Sequence, residues 1–309
     1  MDFSRKDIVA LAPLAGYTDL PFRHVVKKFG VDLTFSEMIS ANALVHNSKK
    51  SFKMLEKSPL EVPYIVQIAT GDVDVARRTV EILNDIEGID GIDLNCGCPV
   101  PKVVSQNSGS SLLQDLDQLA RVVETIKKYS NKQYTSVKSR LGFAEKIPED
   151  IARTVEKAGA DFLTLHGRTR AGKYKAPVDY EAIARAKEAV SIPVIANGDI
   201  ISVERVREVR KVTRCDGVMI GRGAVGNPWI FYQIKEDKTY VDKSKILEIV
   251  LEHFEAMIEF YGEKGATIFR KHLHTYSKSF PNASQFRDQI NRVDDVATIR
   301  EMIVGFFSN

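Results

Sequence analysis

The chain has 309 residues, 44% hydrophobic and 28% charged, with a formal net charge of +3, the balance of an ordinary globular protein. No apolar run reaches the roughly 18 residues a membrane span needs, and Met1-Asp2-Phe3-Ser4-Arg5-Lys6 has no apolar signal core, so a cytoplasmic protein with no membrane partner is expected; a monomer is expected as well. Its three cysteines, Cys96, Cys98 and Cys215, are too few, and odd in number, for a disulfide framework.

Short apolar runs at 9–14, 33–36, 64–68, 91–95, 134–138, 162–166, 193–196 and 217–220 read as strands. Helix-period segments follow most of them, at 72–83, 116–129, 148–158, 180–189 and 203–212, with Asp115 and Ser202 at N-cap positions. Strands alternating with helices predict a parallel sheet, and eight such units predict a (β/α)₈ TIM barrel. Lys235-Glu236-Asp237-Lys238 reads as a polar linker. Beyond it the pattern is helical: Leu247, Val250, Phe254, Met257 and Tyr261 form an apolar stripe, and Glu248, Glu252, Glu255, Glu259 and Glu263 an acidic one. Further helices are expected near 266–277, 283–291 and 295–307. The expected division is a barrel over 1–235 and a small α-helical bundle over 243–309.

Barrel active sites lie where strands end, and here those ends carry chemistry. They are Ala12-Pro13-Leu14-Ala15-Gly16, Gln67, Asn95-Cys96-Gly97-Cys98-Pro99, Lys138-Ser139-Arg140, His166-Gly167-Arg168-Thr169-Arg170, Asn197-Gly198-Asp199 and Gly221-Arg222-Gly223. The last two suit a phosphate: glycine admits close backbone approach, and Arg222 can add a two-pronged contact. A lysine pointing into a barrel needs an anion or polar ligand, so Lys138 reads as a Schiff-base nucleophile, a donor to an electron-rich ring, or a solvated lysine at a misplaced strand end. Cys98 reads as nucleophile, acid, metal ligand or filler. Metal is disfavoured there, because Cys96-x-Cys98 lacks a second Cys/His pair at zinc spacing. Cys215 reads as structural. Two basic groups stand out: Arg168, Arg170, Lys173 and Lys175 at the expected mouth, and Lys264, Arg270, Lys271, Lys278, Arg287 and Arg292 against the single acid Asp288, with His272 and His274 nearby. Such patches are either solvated faces or tracks for a phosphate backbone; on the second reading the acidic stripe points away from the ligand.

Taken together, these motifs resemble those of the tRNA-dihydrouridine synthases, in particular the bacterial branch often called DusB, over essentially the whole chain. Gly97-Cys98-Pro99 combined with His166-Gly167-Arg168-Thr169 is the most specific part. Pro21-Phe22-Arg23, Ser36-Glu37-Met38, Pro228-Trp229-Ile230-Phe231 and Phe269-Arg270-Lys271-His272-Leu273 also fit. Two departures, Cys96 where relatives commonly carry methionine and the Pro101-Lys102 pair, leave Cys98 intact. The resemblance implies a barrel that binds FMN through Pro13, Leu14, Ala15, Gln67, Lys138, Asn197, Gly198, Asp199, Gly221 and Arg222, with His166 near the flavin phosphate and ring. Asn95 and Arg140 would lie near the flavin and the substrate base. Cys98 would give a proton to C5 of a uracil whose C6 takes hydride from reduced flavin. NADPH would be the reductant, and the helical domain would grip tRNA, with Arg168, Arg170, Arg270, Lys271 and Arg287 as candidate RNA contacts. Three rival readings differ in one feature each: an FMN barrel acting on a free pyrimidine, as dihydroorotate dehydrogenases do, needs no basic helical domain; a Schiff-base lyase has no flavin; an RNA-binding protein with a vestigial site needs none of Cys98, Lys138 and His166.

Overall fold

The computed structural model describes residues 7–238 and 243–308, so the opening hexapeptide lies outside the described residues. In chain order the first unit runs β1 (Ile8–Leu11), α1 (Leu20–Lys28), β2 (Thr34–Phe35), β3 (Ile39–Ser40), α2 (Ala41–Val45), α3 (Lys49–Lys53), β4 (Tyr64–Ala69), α4 (Val73–Asn84), β5 (Gly91–Cys96), α5 (Pro101–Val104), α6 (Leu116–Tyr129), β6 (Tyr134–Arg140), α7 (Pro148–Lys157), β7 (Phe162–His166), α8 (Tyr180–Glu188), β8 (Val194–Asn197), α9 (Val203–Thr213), β9 (Gly217–Ile220) and α10 (Ile230–Lys235). The strand order is β1-β9-β8-β7-β6-β5-β4-β2, with β3 also on β4. Every strand pairing is parallel. A parallel bridge between Ala10 and Leu33 joins the two ends, and the Leu11 N–H donates to the Leu33 carbonyl at 2.9 Å. This is the expected (β/α)₈ TIM barrel.

Two strands differ from expectation by more than two residues, each for a local reason. The first strand stops at Leu11 rather than residue 14: Pro13 has no N–H to give a ladder, and the Leu14 N–H goes to Thr18 Oγ1 at 2.8 Å. The second strand comes in two pieces, β2 and β3. Between them the Ser36 hydroxyl oxygen, not a backbone carbonyl, accepts the Gln67 N–H at 2.9 Å. Helix starts follow the sequence: Asp115 accepts from the Gln118 N–H at 2.9 Å and Ser202 from the Arg205 N–H at 3.2 Å.

One fully buried ion pair sits beneath α1. Arg23 and Glu61 are 1% and 0% exposed, with Nε 2.7 Å from Oε1. Arg23 also donates to the carbonyls of Thr18 (2.9 Å) and Glu56 (2.6 Å), and its guanidinium lies 4.9 Å from the Tyr64 ring centre. Glu61 in turn accepts from Thr34 Oγ1 and the Ser58 N–H. The pair therefore ties α1, the segment before β4 and β2 together.

The second unit is all helical: α11 (Lys243–Tyr261), α12 (Lys264–Tyr276), α13 (Ala283–Ile290) and α14 (Val296–Phe307). Val250, Phe254, Met257, Phe269, Leu273 and Ile303 centre its own apolar cluster. Leu247 and Tyr261, also on the expected stripe, pack partly buried against that cluster. The acidic stripe does not all face water. Glu252 turns to Lys28 and His24 on α1, and Glu255 pairs with Arg300 on α14 at 2.6 Å, because α1 and α14 flank that face of α11. His272, counted by sequence among the basic residues, is fully buried; its spacing from Phe269 and Tyr276 puts it on the apolar face of α12. None of the described helices is long and apolar enough to cross a membrane.

Candidate active site

Strand side chains alternate in and out, and this sorts the barrel interior into layers. Ile8, Ala10, Ile65, Tyr134, Phe162 and Ile195 pack in one interior apolar cluster. One or two inward positions further along the same strands stand Gln67, Asp93, Asn95, Ser136, Lys138, His166 and Asn197. The register sets them level: Gln67 opposite Asp93, Asn95 opposite Lys138, Arg140 opposite His166 and His166 opposite Asn197.

Hydrogen bonds link this polar layer. Asn95 Nδ2 donates to Gln67 Oε1 (2.8 Å), and Gln67 Nε2 to Asp93 Oδ2 (2.7 Å). Ser136 Oγ donates to Asp93 Oδ1 (2.6 Å). Lys138 Nζ donates to Asn197 Oδ1 (3.1 Å), and Asn197 Nδ2 to the Met219 carbonyl (2.7 Å). Burial raises the Asp93 carboxyl to about 6, against the Ser136 and Gln67 hydrogen bonds that favour its charged form. Burial lowers the Lys138 ammonium to about 8, with Asp93 opposing. His166 is pushed down to about 2, first by burial and then by the cations Lys138, Arg140 and Arg168. Its imidazole is neutral at any ordinary pH, and Nδ1 has no hydrogen-bond partner among the described residues. Asp93 and Ser136 escaped the sequence reading as site residues. The signal was there: Asp93 is a lone acid inside the apolar run Gly91-Ile92-Asp93-Leu94.

The Cys98 loop follows β5 and is held from both sides. Asn95 Oδ1 accepts the N–H groups of Gly97 (3.1 Å) and Cys98 (2.9 Å). The N–H and hydroxyl of Ser110 both donate to the Cys98 carbonyl (3.1 and 2.8 Å). Cys98 is half-buried, and that burial raises its thiol above the usual range. Cys96 is fully buried in the outer core between strands and helices, and Cys215 is buried in the same layer. Only Cys98 is placed to reach the mouth.

Arginines tie the loops together. Arg140 donates from Nε to the Gly97 carbonyl (2.8 Å) and from Nη1 to the Thr169 carbonyl (3.0 Å), which joins the Cys98 loop to the loop after β7. Arg168, 5% exposed, donates to the Ala176 carbonyl and holds both carboxylate oxygens of Asp199. Arg222 reaches the same carboxylate at 2.6 Å. Arg168 is the leading cause that holds the Asp199 carboxyl below its usual range. Asp199 follows Gly198 at φ 130° and itself sits at φ 44°, so the turn after β8 bends its side chain back between the two guanidiniums. Leu14 from the loop after β1 packs beside Gly221, 3.6 Å from where a Cβ would stand, with Pro13 and Ala15 on the same loop. Tyr174, another residue the sequence reading missed, is 54% exposed. Its ring centre lies 5.4 Å from the Arg140 guanidinium and 4.9 Å from that of Arg222.

The barrel-end residues thus converge on one mouth, while the basic residues expected to meet RNA scatter. Arg170 lies 4.8 Å over the Phe143 ring. Lys271 reaches across from α12 to within 5.4 Å of the Tyr17 ring centre, beside the loop after β1. Arg270 is turned into the helical unit, on Asp294 and the Val293 carbonyl. Arg287 is half-exposed on α13.

Residues 10–305 match the family model described as Dihydrouridine synthase (Dus). The chain belongs to the dihydrouridine synthase family. Among its relatives is the "Probable tRNA-dihydrouridine synthase" of Helicobacter pylori (strain ATCC 700392 / 26695), 50% identical over 309 residues that span 100% of this chain and 94% of the relative. The "tRNA-dihydrouridine synthase B" of Pseudomonas syringae pv. tomato is 39% identical over 312 residues, 96% of this chain and 90% of the relative. An old yellow enzyme homologue from Zymomonas mobilis has a TM-score of 0.52 at 12% identity, over 76% of this chain and 90% of that one, a likeness of fold alone.

Proposed function

We propose that this chain reduces the C5–C6 double bond of particular uridines in tRNA to 5,6-dihydrouridine in the cytoplasm, with FMN in the barrel mouth and NADPH as reductant. The observation that carries the reading is the convergence, at one mouth, of a protonated thiol, a half-buried lysine, a neutral histidine and an arginine-lined anion site. The residues fit FMN. The Arg168 and Arg222 guanidiniums gather on one carboxylate between the turns after β8 and β9, where a phosphate suits the charge. The orphaned His166 Nδ1, with Lys138, Asn197 and the Gln67 amide, offers polar atoms to a flavin ring. Bound FMN supplies the hydride for C6 of uracil.

The chain's own residues do the rest. Cys98 holds a proton for C5, and its raised pKa keeps the thiol protonated at neutral pH. Lys138 brings positive charge to the ring site, where negative charge gathers. Asn95 keeps the Cys98 backbone in place, and Arg140 holds that loop against the loop after β7. The base must leave its stack to enter the mouth, at less cost from a tRNA loop than from a duplex. On this reading the unit over 243–309 grips tRNA, and Lys271 and Arg170 at the mouth link that grip to the site, while Arg168, expected among the RNA contacts, is buried on Asp199.

Two results test this. Purified protein will be yellow, and acid will release FMN. Arg222→Ala will bind FMN about 10- to 100-fold more weakly, the loss of one charge-assisted contact. Protein that stays colourless on FMN titration sinks the flavin and favours the Schiff-base or RNA-binding alternatives. For RNA, each lost phosphate contact flattens the slope of log K against log salt by about 0.9. Lys271→Ala and Arg287→Ala will show that change in tRNA binding with FMN content intact. Arg270→Ala serves as the comparison, since its partner is Asp294. Slopes equal to wild type for both Lys271→Ala and Arg287→Ala would move the grip elsewhere.

A further inference from the structure

Where the helical unit meets the barrel, three metal-ligating side chains come together that the reaction does not use. Asp19 caps the N-terminus of α1; its Oδ1 accepts the Phe22 N–H (3.3 Å) and its Oδ2 the Tyr261 hydroxyl (3.0 Å). His253 comes from α11 and His272 from α12. Asp19 is 3% exposed and both histidines 0%, and one ligand atom from each of the three lies within 4.8 Å of the others. His253 Nδ1 is 3.0 Å from the Tyr276 hydroxyl. Its Nε2, and both ring nitrogens of His272, have no hydrogen-bond partner among the described residues.

An unpartnered buried imidazole is costly, because desolvation of its nitrogens goes uncompensated. The surroundings favour an apolar side chain: His272 stacks on Phe22 (5.5 Å) and Phe269 (5.6 Å). Two imidazoles and a carboxylate are a donor set for zinc and similar first-row divalent ions. Burial lowers both histidines below their usual range, which leaves them neutral, the state a metal requires. The Tyr276 partner on His253 Nδ1 is the outer contact that orients a metal-bound imidazole through its second nitrogen. Three further charges act on the cluster: Lys271, felt by all three groups, and Arg23 and Glu37, both coupled to Asp19. Glu37 offsets part of the Lys271 repulsion toward a cation.

We propose that Asp19, His253 and His272 form a structural site for one borderline divalent cation, zinc foremost, that fastens the helical unit to the barrel beside the loop after β1. The site is independent of flavin and of RNA. The ligands come from both units, so the ion binds the docked arrangement in preference to the undocked one and stabilises it by mass action.

The test uses the full-length holoprotein purified without a histidine tag, stripped with a chelator and titrated with CoCl₂ and, separately, ZnCl₂. Cobalt will give a visible d–d band that saturates at one equivalent and lacks a thiolate charge-transfer band. Zinc at about a hundredfold excess over Kd will raise Tm by about 5 °C. His272→Asn and His253→Asn will each lose both signals. Wild-type protein with neither band nor shift overturns the proposal without reference to any variant. So does a thiolate band, which would put the ion at the cysteines, or a folded His272→Asn protein that binds cobalt like wild type.

Discussion

Cys98→Ala will bind FMN and oxidise NADPH at wild-type rates but form dihydrouridine about 10²- to 10⁴-fold more slowly, the range for removing a positioned general acid. The Cys98 backbone is held by Asn95 and Ser110, so deleting the thiol leaves the loop and the flavin side of the mouth in place. The measurement is single-turnover reduction of tRNA by pre-reduced enzyme, with NADPH oxidation followed separately. The pH profile adds an independent check. Burial raises the thiol above its ordinary value, so the donor form persists through neutral pH and is lost as pH climbs through that raised value. Wild-type reduction will fall on the alkaline side, first as Lys138 loses its charge at about 8 and then as the thiol ionises, and the residual rate of Cys98→Ala will keep the first limb and lack the second. Cys96→Ala and Cys215→Ala will stay active, because both sulfurs lie in the layer between strands and helices. A normal dihydrouridine rate in Cys98→Ala would remove the acid from this residue.

Arg23→Met will lower unfolding free energy by about 3–5 kcal/mol, the cost of leaving one partner of a buried pair unmatched. Glu61 would remain at 0% exposure with only Thr34 Oγ1 and the Ser58 N–H as donors, and two carbonyls that Arg23 serves would lose their donor. Arg23→Lys keeps the charge but not the fork, so it will fall between Met and wild type. Urea unfolding measures both. A loss under about 1 kcal/mol for Arg23→Met would mean that water or a rearranged partner reaches Glu61. The pair sits beneath α1, whose cap Asp19 also meets the helical unit, so the loss will extend to the interface between the units.

The residues at the strand ends were legible because strand chemistry is local. Short apolar runs alternating with helix-period segments, and N-caps at Asp115 and Ser202, locate the barrel without any long-range contact. Period-2 alternation, carried past residue 138, places Arg140 on the face of Lys138 and turns Cys96 away from Asn95. It also pointed to Asp93, had each strand been read face by face. The break between β2 and β3 was not legible, because it depends on the Ser36 hydroxyl meeting a neighbouring strand's N–H.

Charge partners and docking were decided by the tertiary structure alone. Sequence spacing put Arg168 and Arg270 among free cations, yet Asp199 and Asp294, 31 and 24 residues away along the chain, claim them. Glu252 meets α1 because α11 packs there, and Arg23 finds Glu61 across 38 residues. His272, on an apolar helical face by its own spacing, gains meaning only where Asp19 and His253 arrive from elements 253 and 19 positions away. The sequence by itself determined the barrel and the end at which its polar residues gather. Which charges are spent on each other, and how the helical unit is held against the barrel, depends on distances through space that local periodicity does not encode.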